Sequence, residues 1–110
     1  MAKLLSLPPH WRKKGMTTFT RHEIGMLMSI YGEKVSKNEW RDYALDCLPD
    51  MAVFSIFRHS HEQPVYSIVK IVTKGNRSSK FTVSDGERVL KESKSLLEAL
   101  QVFKEGKKKK

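Results

Sequence analysis

The chain contains a single cysteine, Cys47, so an intrachain disulfide is excluded. It also lacks any run approaching the ~18 apolar residues that a membrane-spanning helix needs. The first residues, MAKLLSLPPHWRKK, hold too short an apolar stretch for a signal peptide, and two prolines interrupt it. A reducing cytoplasm is therefore the expected compartment. A length of 110 residues indicates one domain.

Acidic residues are nearly absent from both ends of the chain, where most of its net charge of +9 lies. Residues 1–16 contain four basic residues and no acid, and residues 104–110 contain five basic residues and one acid. Residues 17–103 are almost balanced, with 12 basic and 11 acidic residues. We predict a flexible basic segment at 1–16, a single domain at 17–104 and a disordered lysine tail at 105–110. Such a tail would add only weak, salt-sensitive affinity for a polyanion.

Catalytic and metal-binding motifs are also missing. There is no glycine-rich phosphate loop, no GxSxG and no pair of carboxylates framed by apolar residues. His59 and His61 would share one side of a strand, but a zinc site needs three or four ligands, and Cys47 would lie ~20 Å away. Burial of Cys47 would raise the pKa of its thiol, which disfavours a nucleophile. We expect no metal, no cofactor and no enzymatic activity.

The first clear element is a helix at about 20–37. Thr20 and Glu23 have the spacing of a capping box, and Phe19 and Ile24 have that of a hydrophobic staple. Asn38, which tolerates the left-handed conformation, is the expected stop. The predicted buried stripe consists of Ile24, Leu27, Met28, Tyr31 and Val35.

Residues 40–48 fit two structures. As a helix, they would bury Trp40, Tyr43, Ala44, Cys47 and Leu48 on one stripe. As a strand folding back at the Pro49-Asp50 turn, they would place three side chains opposite three others on one face of a hairpin. Those pairs are Tyr43 with Ile56, Leu45 with Phe54, and Cys47 with Ala52. Because all six are suited to one buried face, we prefer the hairpin.

The rest of the chain predicts a sheet followed by a helix. β-rich runs continue at 64–73, 80–84 and 88–90, and Asp85-Gly86 is a strong hairpin signal. Ser95 and Glu98 form a second capping box, for a helix at about 95–104. The expected fold is α+β, a five-stranded antiparallel meander at about 40–92 with both helices packed on one face.

Several short segments resemble an uncharacterised family of small alphaproteobacterial proteins, a domain of unknown function. They are EWRDYA at 39–44, AVFSIFR at 52–58 and the spacing of Glu62, Pro64 and Tyr66. The resemblance covers about residues 19–103 and implies a bacterial cytoplasmic setting without implying an activity. Members resemble one another in having glycine where this chain has Asn38. The turn at 74–79 and the lysine tail depart from the family pattern.

One cluster is a candidate binding site. In the hairpin register Arg41 stands opposite Arg58, and two guanidinium groups repel unless an anion joins them. Glu62 supplies that anion if the cluster is a structural charge network. Otherwise the arginines would bind a carboxylate or phosphate of a partner, with an aromatic stacking face beside them. The candidate partner- or anion-binding residues are Trp40, Arg41, Asp42, Arg58, Glu62 and Tyr66.

Two kinds of binding module are therefore expected. The first is a non-enzymatic interaction or regulatory module that offers its sheet or the arginine pair to an unidentified protein partner. The alternative is an RNA- or DNA-binding protein that uses its basic ends and a basic turn. The candidate nucleic-acid contacts in that turn are Lys70, Lys74, Arg77 and Lys80.

Overall fold

The computed structural model describes residues 16–59, 63–73 and 78–105. Helix α1 (Arg21–Ser36) precedes five strands: β1 (Asp42–Cys47), β2 (Met51–Phe57), β3 (Tyr66–Val72), β4 (Ser79–Ser84) and β5 (Val89–Ser93). Two short helices, α2 (Leu96–Ala99) and α3 (Gln101–Glu105), follow. The strands form one antiparallel sheet in the order β1-β2-β3-β4-β5, which confirms the predicted α+β meander.

Most of the predicted flexible ends fall outside the described residues. Of the basic segment predicted at 1–16 only Met16 is described, and of the lysine tail predicted at 105–110 only the backbone of Glu105. Within the described ranges, no helix has the length and apolar character to cross a membrane.

Residues 42–47 form a strand, so the hairpin interpretation is confirmed. Tyr43 lies opposite Ile56, Leu45 opposite Phe54 and Cys47 opposite Ala52, in the predicted register. The three β2 partners are fully buried, with exposed fractions of 1% or less. A shift of one residue would turn them to the other face, so their burial fixes the register.

The core lies between the sheet and the helices, which cover the same face as predicted. The sheet contributes Ala52, Phe54, Ile56, Ile68, Phe81 and Val83 to it. The helices and the segment before α1 contribute Phe19, Ile24, Leu27, Ile30, Leu96, Ala99, Leu100 and Phe103.

Helix α1 begins as its sequence predicts. The Glu23 backbone N–H donates to Thr20 Oγ1 over 3.1 Å, and the Thr20 N–H donates to Glu23 Oε1 over 2.8 Å, which closes the capping box. The buried stripe is shifted from the prediction, because Ile30 is buried and Val35 is 37% exposed. The last turn of α1 thus lies largely outside the core.

Asn38 ends α1 in the left-handed conformation, with φ of 62°. Its N–H donates to Val35 O, and the Glu39 N–H donates to Lys34 O, both over 2.9 Å. These two bonds are a Schellman motif, in which the residue after the cap must adopt positive φ. An ion pair of 3.4 Å between Lys34 and Glu39 closes the same turn.

The C-terminal helix differs from the prediction, since it is broken at Leu100 into α2 and α3. The Phe103 N–H donates to Leu100 O, three residues back. Only half of the expected capping box forms: the Glu98 N–H donates to Ser95 Oγ over 3.3 Å. The Glu98 carboxylate instead accepts a 2.8 Å hydrogen bond from Ser93 Oγ on β5. This contact ties α2 to the edge of the sheet.

The positive φ of Asn38 makes a prediction about stability. Asn38→Gly should leave the free energy of unfolding unchanged or raise it by up to about 1 kcal/mol, because glycine adopts this conformation without strain. Asn38→Ala should lower it by about 1 kcal/mol. Urea unfolding measures both changes. Lys37→Gly, at a cap with φ of −99°, is the control and should give no gain. A more stable Asn38→Ala variant would contradict the assignment.

Candidate interaction surface

Trp40, which the sequence predicts in an exposed cluster, is buried in the core. Its side chain is only 4% exposed. The indole lies 5.1 Å from the Phe103 ring in an edge-on arrangement, and 6.1 and 6.2 Å from the Tyr66 and Tyr31 rings. It fills the space between β1 and the helices and is inaccessible to a partner.

The two predicted arginines lie just beyond the end of the β1–β2 ladder. Its last pair is Asp42 with Phe57, and the Arg41 N–H donates to Phe57 O over 2.8 Å. Arg41 and Arg58 are both exposed. Neither forms an ion pair with any residue in the described ranges. Glu62 lies outside the described residues, so the proposed network and the anion site both stay predictions.

Of the predicted basic turn, the structure places Lys70 and Lys80 in different environments. Lys70 is 6% exposed and points into the core side of the sheet, not toward solvent. Its Nζ donates to Thr18 O over 2.9 Å and to Glu23 Oε1 over 2.8 Å. Lys80 is exposed and lies 3.5 Å from Glu92. Lys74 and Arg77 lie outside the described residues, so Lys80 is the one member of this set that the structure places at the surface.

Cys47 is half-buried at the end of β1. Burial, and to a smaller extent the charge of Asp46, raises the pKa of its thiol. This is the predicted direction, and it weakens the thiol as a nucleophile at neutral pH.

The face of the sheet opposite the helices carries a strip of partly exposed apolar side chains, which we call the uncovered face. Across its two central strands Val53 pairs with Val69 and Met51 pairs with Ile71, while Phe57 extends the strip along β2. All five are half-buried by their strand neighbours. The buried apolar residues of the sheet, and the described helices that pack on them, lie on the other face, so no described helix covers this strip. Ser55, between Val53 and Phe57, is the buried polar residue of this face.

Charged residues border this strip on both sides. On β1, the exposed Asp42 and Asp46 lie opposite Phe57 and Val53. Neither carboxylate is ion-paired within the described part of the chain. The Asp42 carboxylate accepts the Tyr43 N–H over 2.8 Å. The Lys80–Glu92 ion pair lies toward the other border.

Sequence patterning alone could have located this strip. Met51, Val53 and Phe57 alternate with Ala52, Phe54 and Ile56, and Val69 and Ile71 alternate with Ile68. Both faces of β2 and β3 are therefore mostly apolar, with the Ser55–Ser67 pair interrupting the outer one, which is close to the pattern of strands covered on both sides. The alternation in β2 and β3 shows that most of the uncovered face is apolar, and the structure shows that no described helix covers it.

Comparison with known proteins identifies the family. The profile described as "Protein of unknown function (DUF2794)" matches residues 17–100. The chain belongs to this family. The match spans α1, the whole sheet and α2, so the uncovered face lies within the matched residues. No curated protein and no solved structure gives a significant match.

The raised pKa of Cys47 in this DUF2794 protein predicts its reactivity. At pH 8, iodoacetamide should alkylate Cys47 more slowly than it alkylates an unstructured cysteine peptide, because less thiolate is present. Asp46→Asn should lower the pKa and speed alkylation, and Asp50→Asn should change neither. Mass spectrometry measures the alkylation rate of each variant, and the dependence of that rate on pH gives the pKa of the thiol. An alkylation pKa below that of the peptide would contradict the assignment.

Proposed function

We propose that this DUF2794 protein is a non-enzymatic interaction module whose uncovered face binds one amphipathic helix of a protein partner. The observation that carries the proposal is the pair of apolar contacts Val53–Val69 and Met51–Ile71 at the centre of the sheet, without a described helix over them. Contiguous apolar patches on a folded surface are typical of interaction sites.

The dimensions of the strip favour a helix as the occupant. Seven residues of β2, from Met51 to Phe57, span roughly 20 Å, and two neighbouring strands are roughly 10 Å wide. An α-helix with its side chains is roughly 10–12 Å across, and roughly 13 residues of it are 20 Å long. One helix of three to four turns would therefore match the strip.

The charges favour a basic helix. Asp42 and Asp46 lie along one border of the strip, on either side of Ala44 on the same face of β1. A partner helix with Lys or Arg along one flank of its apolar stripe would pair with them. Such border pairs are solvent-exposed, so they contribute mainly to orientation and association rate.

The proposed setting is the cytoplasm of a bacterium. A single cysteine fits a reducing compartment, and the family resemblance implies a bacterial source. The raised pKa of Cys47 supports a non-enzymatic role, because it weakens the one thiol of the chain as a nucleophile.

Nucleic-acid binding has less support. Of its four candidate contacts, Lys70 is buried and Lys80 pairs with Glu92. The remaining basis is the charge at the chain ends together with Lys74 and Arg77, which lie outside the described residues. Under this alternative, RNA or DNA affinity would fall steeply with salt and survive deletion of residues 107–110. If that deletion abolishes binding, the lysine tail acted alone and the folded domain is no nucleic-acid module.

The proposal predicts the effect of one substitution on the uncovered face. Val69→Glu should weaken binding of the captured partner at least about tenfold, because a carboxylate would be buried under the apolar stripe of the helix. Val69→Thr, of the same shape and more compatible with the strand, should weaken it less. The measurement is an affinity pull-down at moderate salt followed by titration of the purified partner.

Val35→Glu is the matched control, since Val35 is 37% exposed at the end of α1 and away from the sheet face. It should bind as the wild type does. Thermal unfolding shows whether each variant remains folded. Unchanged affinity in folded Val69→Glu and Val69→Thr, or a contact site mapped to the helix side, would contradict the proposal.

A further inference from the structure

A groove runs along the helix layer, on the opposite side of the molecule from the uncovered face. It lies between α1 and the C-terminal helices α2 and α3 and has a volume of about 350 Å³. Small-molecule sites in proteins begin at roughly 300 Å³. The groove can therefore take one small ligand.

The lining of the groove is largely apolar. Ile30 and Leu100, which are buried, lie at its base, and the half-buried Met26 lines α1. Leu97 lines the opposite side and is 59% exposed, more than any other large apolar side chain of the described residues. Gly25 adds no side chain to the α1 side, so the groove remains wide there. An alkyl chain in this groove would remove Leu97 and Met26 from water.

One end of the groove is cationic. Lys104 lines it, is exposed, and forms no ion pair within the described residues. Lys104 and Ile30 also line an adjoining cavity of about 320 Å³ that reaches Lys34. Lys34 Nζ donates to Phe103 O over 3.3 Å, which holds it close to α3. No acidic residue lines the main groove, although Glu33 lines the adjoining cavity.

We propose that the groove binds the anion of a free, medium-chain fatty acid. The alkyl chain would lie over Met26 and Leu97, and the carboxylate would pair with the ammonium group of Lys104. The volume holds a single chain, which favours a free acid over a two-chain membrane lipid. This site is separate from the uncovered face and does not depend on the proposed partner helix.

Two glycines of α1 allow a sharp test with decanoate as the probe. A Cβ at Gly25 or at Gly32 would meet nothing within 4 Å, so both positions accept a side chain without a clash. Gly25 lines the groove and Gly32 does not. Leucine at either position should raise the melting temperature, because glycine is unfavourable inside a helix. Only leucine at Gly25 would fill the ligand space.

The measurement is an NMR titration of the full chain with decanoate below its micelle concentration. Wild type should bind with a Kd on the order of 0.1–1 mM, with shifts at Met26, Leu97 and Lys104. Gly25→Leu should weaken binding at least about tenfold, while Gly32→Leu should stay within about twofold of wild type. Lys104→Gln should weaken decanoate several-fold and leave the affinity for decanol unchanged.

Three results would overturn the assignment. One is no saturable decanoate binding by wild type. Another is wild-type affinity in folded Gly25→Leu. The third is a set of shifts centred on the uncovered face instead of the groove. Because Val69→Glu should leave decanoate binding unchanged, failure of this proposal is distinguishable from failure of the interaction-module proposal.

Discussion

The ion pair between Lys70 and Glu23 joins the helix layer to the sheet. Lys70 Nζ on β3 lies 2.8 Å from Glu23 Oε1, and the two side chains are only 8% and 16% exposed. The same carboxylate oxygen accepts the Thr20 N–H and so closes the capping box of α1. Lys70 also donates to Thr18 O, in the segment leading into the helix. One ammonium group thereby joins the central strand, the cap and the helix start. Apolar burial supplies most of the stabilisation but is non-directional. We infer that this pair sets the position of α1 along the sheet. Fixing a register is the role for which buried ionic groups are best attested.

The position of the groove follows from that register, whereas the uncovered face depends only on which face of the sheet α1 covers. With α1 held on one face of β3, the side chains of Val53 and Val69 on the other face lie outside the described helix layer. The groove depends on the same placement. Ile30 packs into the core, whereas Gly25 and Met26 on the neighbouring stripe of α1 face the C-terminal helices. A helix shifted along the sheet would change the width of the groove and leave the uncovered face in place.

Local sequence signals were sufficient for the elements and their register. The capping box of α1, its stop at Asn38 and the hairpin of β1 and β2 each depend on residues close together in the chain. The prediction of a complete second capping box is wrong because the Glu98 carboxylate bonds Ser93 on the sheet edge instead of the Ser95 N–H.

Contacts distant in sequence explain the errors in the candidate site. The sequence places Lys70 in a basic turn beside Lys74, Arg77 and Lys80, but the structure buries it against a partner. Its partner Glu23 lies 47 residues away, where no local pattern connects the two. Trp40 was assigned to an exposed cluster, but Phe103, which covers it, belongs to the last helix. The groove is likewise invisible to periodicity, because it forms only where two helices approach.

A double-mutant cycle on Lys70 and Glu23 tests the central claim most directly. Lys70→Met should lower the free energy of unfolding by about 3 kcal/mol or more, because it leaves a mostly buried carboxylate without its cation. Adding Glu23→Gln to that variant should cost less than it costs the wild type, giving a coupling energy of about 1 kcal/mol or more. Urea unfolding of the four proteins measures it. Substitution effects that add to within about 0.5 kcal/mol would show that the pair does not fix the helix on the sheet.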